Sequence, residues 1–134
     1  MFSCNESGNQ ISNLEPIADL VQLEDLTLDR NQIADISPLH KLENLKGVSF
    51  HFNRIKDIAV AKHWSNLNYF NMGFNELEDI QVLGKLEQLR GIWIPENKVQ
   101  DISQLENLAQ LEILILEKNP IVDISVVKRL TNVV

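Results

Sequence analysis

Asparagine returns at Asn9, Asn31, Asn53, Asn75, Asn97 and Asn119, one every 22 residues along the whole chain. A fixed period of this length means one supersecondary unit stacked on copies of itself, each unit too small to bury its apolar face alone. The chain is therefore read as one solenoid domain over residues 1–134. Its first unit, 1–22, is degenerate, and the regular units cover 23–44, 45–66, 67–88, 89–110 and 111–132.

Within a unit the hydrophobic period changes. Leu26 and Leu28, Val48 and Phe50, Phe70 and Met72, Ile92 and Ile94, and Leu114 and Leu116 are each two apart, the spacing of a strand with one buried face. In the second half Ile33, Ile36, Leu39, Leu42 and Leu45 are three apart, which suits a 3₁₀ return in which i and i+3 eclipse. A coil this short has no room for a long crossover helix.

Two polar columns have structural explanations. The Asn amide carries donors and an acceptor, so at a sharp turn inside the stack it can bridge the backbone of adjacent coils. Asp35, Asp57, Asp79, Asp101 and Asp123, with Asn13 in the first unit, stand where an Asx turn or cap opens each return. One carboxylate per coil makes a poor calcium site, so no metal is expected. Where the second unit has Leu39 and Leu42, the third has Ala61 and Trp64, an exchange of volume that places Trp64 in the core.

The segments LEDLTLDRNQI, LKGVSFHFNRI, LNYFNMGFNEL, LRGIWIPENKV and LEILILEKNPI fit the pattern LxxLxLxxNxL. The chain resembles the leucine-rich repeat family along essentially its whole length. The 22-residue unit and tails such as DISPLHKLENL are most similar to bacterial internalin-type repeats, and also to the short-repeat regulatory subunit of eukaryotic protein phosphatase. The resemblance implies an α/β repeat fold, a right-handed solenoid with a curved parallel sheet on the concave face and short 3₁₀ or helical turns on the convex face. It also implies a module that binds a partner through exposed concave aromatics, as internalins grip host receptors.

The outward strand positions form columns. One runs Asp25, Gly47, Tyr69, Gly91, Ile113; the next Thr27, Ser49, Asn71, Trp93, Ile115; then Asp29, His51, Gly73, Pro95, Glu117; and on the loop side Arg30, Phe52, Phe74, Glu96, Lys118. Large apolar side chains here have no core to explain them, and a contiguous apolar patch marks an interaction site. Tyr69 and Trp93 are the expected anchors, with Phe52 and Phe74 as a side wall and His51, Asp29, Arg30, Ile113 and Ile115 around them. Gly47 and Gly91 flank Tyr69, leaving room against its ring. Phe52 and Phe74 have a plainer alternative, folding over the stack edge to cover each other.

Ser49, His51 and Asp29 form a nominal nucleophile set, but an open sheet face supplies no strained turn and no oxyanion hole. Asp29 beside His51 reads instead as a surface pair favouring the imidazolium. His40 and His63 fall on the convex return. No zinc cluster and no phosphate-cradling loop is present in the sequence, so no cofactor and no enzymatic activity is expected.

The net charge of −7 argues against nucleic acid. No run approaches the ~20 apolar residues of a membrane span, so no membrane insertion is expected. The start lacks a signal-peptide pattern, which makes the cytoplasm the default and a secreted or surface location conditional on a signal in a longer parent. Cys4, alone, forms no internal disulfide. Glu6 and Cys4 replace apolar residues in the first unit, and Val133 and Val134 close the chain without an evident cap. A truncation, or a homo-oligomer formed through that C-terminal end, is expected from this. The leading expectation is a non-enzymatic module binding a protein or peptide on its concave face. The alternative is a structural spacer or self-associating segment of a larger surface or regulatory protein.

Overall fold

The computed structural model describes residues 2–130 and 132; Val133 and Val134, on which the expectation about the chain's end rests, lie outside them. Six three-residue strands form one open parallel sheet in chain order: β1 Ser3–Asn5, β2 Asp25–Thr27, β3 Gly47–Ser49, β4 Tyr69–Asn71, β5 Gly91–Trp93 and β6 Ile113–Ile115. Each residue pairs with the one a full repeat away, as in Leu26 with Val48 and Phe70 with Ile92. The columns read from the sequence are thus the columns of the sheet. Cys4 pairs with Leu26, so the degenerate first unit keeps the register.

Short 3₁₀ segments at Glu15–Ile17, Ser37–Lys41, Ala59–His63, Gln81–Lys85, Ser103–Asn107 and Ser125–Arg129 return the chain to the next strand. The Asp column opens these turns. The side-chain oxygens of Asp35, Asp57, Asp79, Asp101 and Asp123 accept the backbone N–H two residues on, at 2.8–2.9 Å, and Asn13 does the same for Glu15. This holds the backbone in the turn where a 22-residue coil must reverse. Parallel strands joined by such returns wind right-handed.

The core is one continuous stack. Ile33, Ile36, Leu39, Leu42 and Leu45 are almost fully buried, and the same positions repeat down the stack. Trp64 is fully buried beside Ala61, and its indole N–H donates to the Leu39 carbonyl at 3.1 Å. A buried indole needs that partner, because an unpaired N–H in an apolar core is costly.

The Asn ladder bridges coils as its chemistry allows. Asn75 accepts the Ile55 N–H at 2.9 Å and donates to the carbonyls of Phe50 and Met72 at 2.9 and 3.0 Å. Asn31, Asn53, Asn97 and Asn119 repeat this pattern. Asn9 departs from it: exposed, it reaches only Glu6 and Ser7 of its own turn.

A second ladder was not read from the sequence. Asn44, Asn66 and Asn132 donate to the carbonyls of Val21, Glu43 and Ala109 on the preceding coil at 2.9, 3.2 and 2.9 Å. Its period is the same, but Gln88 and Gln110 interrupt the column and mask it.

Candidate functional site

Neighbouring strands lie about 4.8 Å apart, so successive side chains within a concave column must touch or leave a gap. Tyr69 is 44% exposed on β4. Trp93 on β5 is half-buried, and the two rings stand 6.1 Å apart at 42°. No core explains these rings; they meet on the outer side of the sheet.

The room expected on both sides of Tyr69 exists on one side only. A Cβ on Gly91 would lie 2.5 Å from the Trp93 ring and 3.0 Å from Tyr69, so the chain's own indole fills that gap. Over Gly47 a Cβ would meet only the Asp25 carboxylate, at 2.7 Å. The notch between Asp25 and Tyr69 is otherwise open.

A second aromatic group lies on the loop-side rim. Phe52 and Phe74 stack at 4.1 Å and 19°, His51 meets both edge-on at 4.5 and 5.1 Å, and the Arg30 guanidinium lies 4.5 Å from the Phe52 centroid. The two phenylalanines therefore cover each other, as the plainer alternative held, while Phe74 stays 37% exposed. Arg30, Phe52, Phe74, Glu96 and Lys118 all have φ of 55–58°, a left-handed turn repeated at every coil. None of these five is the Gly or Asn that normally marks such a turn, and only Gly8, at the head of the column with φ 74°, hints at it.

The expected Asp29–His51 pair is not formed through the imidazole. Asp29 Oδ1 accepts the Ser49 hydroxyl at 2.6 Å and the His51 backbone N–H at 2.9 Å. The His51 ring instead leans over Gly73, with its buried Nδ1 unpaired. Backbone amide and hydroxyl are the nearer donors, and the aromatic rim takes the ring. In the nominal nucleophile set, then, serine and aspartate touch directly and histidine stands outside. Ile113 and Ile115 are half-buried beyond Trp93. His40 and His63 sit on the convex turns with ring centroids 6.2 Å apart.

A concavity of about 730 Å³ lies away from these rings, among Lys56, Lys62, Lys85, Lys98, Glu76 and Asp79. Its lining carries four lysines and four carboxylates, so it presents no net charge to a ligand. Among the described residues no three His, Cys, Asp or Glu side chains converge as a metal group, and no helix is long and apolar enough to cross a membrane.

No protein-family model matches the chain, and no curated protein does. Solved structures do. The internalin inlF of Listeria monocytogenes superposes with a TM-score of 0.93 at 32% identity, over 99% of this chain and 39% of that one. Internalin C2 of the same organism gives 0.84 at 28% identity, over 99% of this chain and 69% of that one. The chain is a leucine-rich-repeat protein with internalin-like repeats. A leucine-rich-repeat protein of Leptospira interrogans, 22% identical, matches with a TM-score of 0.90 over 100% of this chain and 36% of that one, which speaks to the fold alone. This leucine-rich-repeat chain thus spans about two fifths of the length of inlF.

Within that fold, Asp25 is the concave residue that the columns contained but the sequence reasoning did not single out. Its signal was its place two coils before Tyr69 with only Gly47 between.

Proposed function

We propose that this leucine-rich-repeat chain is a non-enzymatic interaction module that binds a protein or peptide on its concave face. Tyr69 and Trp93 are the anchors, with Ile113 and Ile115 extending the apolar strip and the Phe52, Phe74, His51 and Arg30 cluster forming a side wall beside Asp29. The observation that carries this reading is the Tyr69–Trp93 pair, 6.1 Å apart on the outer side of a sheet whose core is complete without it. Partly exposed aromatics on a rigid platform lose little side-chain entropy on binding and present large apolar area. Likeness to the two internalins supports a module of the interaction class. The test is capture of binders by wild type and by a Tyr69→Ala/Trp93→Ala variant side by side. Proteins retained by wild type and lost from the variant support the reading; identical capture refutes it.

A further inference from the structure

Resting on that reading, we infer that the concave face recognises a polypeptide segment carrying a lysine or arginine next to a bulky apolar side chain. The basic group enters the notch over Gly47, between the Asp25 carboxylate and the Tyr69 ring.

The first argument is an imbalance of charge. The cations on and beside the sheet face are already engaged: Lys46 with Glu24 at 3.1 Å, Arg90 with Glu112 at 2.5 Å, Lys118 with Glu96 at 2.7 Å, and Arg30 over Phe52. Among the described residues Asp25 and Asp29 make no ion pair. Asp29 spends one oxygen on Ser49 and the His51 amide. The end of the face that precedes the aromatic pair therefore holds two carboxylates without counter-charge, within a chain of net charge −7. Such a field favours a basic partner and rejects an acidic one.

The second argument is shape. Glycine at 47 removes the side chain that would separate Asp25 from Tyr69, and Asp25 is all that a Cβ there would meet within 4 Å. Tyr69 leans the other way, against Gly91 and Trp93, so the ring face towards Gly47 is uncovered. A guanidinium or ammonium group in this notch would pair with a carboxylate on one side and lie against a ring on the other. The two contacts reinforce each other, since a cation–π contact strengthens as the cation loses water. Further along the stack, the partly exposed Trp93, Ile113 and Ile115 offer an apolar landing within a few residues' reach of an extended peptide.

The probe is a displayed random-peptide library, selected on the intact chain and counter-screened on Tyr69→Ala/Trp93→Ala. Peptides that need the two rings should be enriched in Lys or Arg close to an aliphatic or aromatic residue. Resynthesised with citrulline for arginine, or tested on Asp25→Asn/Asp29→Asn, they should bind about tenfold more weakly. Gly47→Ala, which fills the notch and displaces only a mobile carboxylate, should act likewise. Ring-dependent peptides that are neutral or acidic, or indifferent to Asp25→Asn/Asp29→Asn, would overturn this inference and leave the proposed function standing. A selection with no ring-dependent peptides would overturn both.

Discussion

At the scale of single residues, the asparagine column shows how one side chain replaces backbone solvation inside a turn. Asn75 satisfies an amide and a carbonyl of the preceding coil and a carbonyl of its own, while itself 7% exposed. Asn75→Ala leaves those groups buried and unpaired, and should cost about 1–3 kcal/mol in urea unfolding. Asn9→Ala removes only local, exposed bonds and should change stability by less than about 0.5 kcal/mol. Equal effects of the two substitutions would mean that the ladder is not what holds adjacent coils. Gly84 offers a different kind of test, since a Cβ there would lie 2.3 Å from the Gln104 carbonyl oxygen on the next coil. Backbone cannot yield as a side chain can, so Gly84→Ala should destabilise by about 1–3 kcal/mol. A thermal midpoint unchanged in that variant would show that the convex turns are looser than they look.

At the scale of elements, each coil is a three-residue strand, a left-handed corner and a capped 3₁₀ turn. The caps make the stack acid-sensitive. Hydrogen bonds from the Ser37 hydroxyl and amide hold Asp35 below the usual carboxylate range. Ser103 does the same for Asp101, and the Ser125 amide and hydroxyl do so for Asp123. A carboxylate with its folded pKa depressed contributes stability above its unfolded pKa of about 3.9 and loses it as pH falls through the folded value. Stability should therefore be level from neutral pH down to about 5 and decline below about 4. Asp35→Asn/Asp101→Asn/Asp123→Asn should flatten that decline, and a decline as steep as wild type would place the acid sensitivity elsewhere. Most of this element-level order was legible in the sequence. A strict period makes register a matter of subtraction, so Leu26 opposite Val48 and Trp64 in the core follow from spacing and volume. What was illegible depends on contacts between columns. Spacing alone does not say that Trp93 lies over Gly91 or His51 over Gly73. Nor do Phe52 and Phe74 announce left-handed corners by residue type; in their column only Gly8 does.

At the scale of the whole molecule, every coil contacts only the next, and the core is a single apolar column with a polar ladder on each side. The six ion pairs among the described residues all join neighbouring coils and are exposed or partly so, so salt should weaken the stack only slightly. A stack whose core is complete is the physical basis for the functional claim, because recognition is then left to the side chains that the inner wall displays. The affinity of a purified captured partner for wild type, Tyr69→Ala and Trp93→Ala, with circular dichroism confirming the fold, measures that claim directly. The account predicts losses of about thirtyfold or more at one or both positions, with unchanged spectra. Affinities within about twofold of wild type for both variants would contradict it.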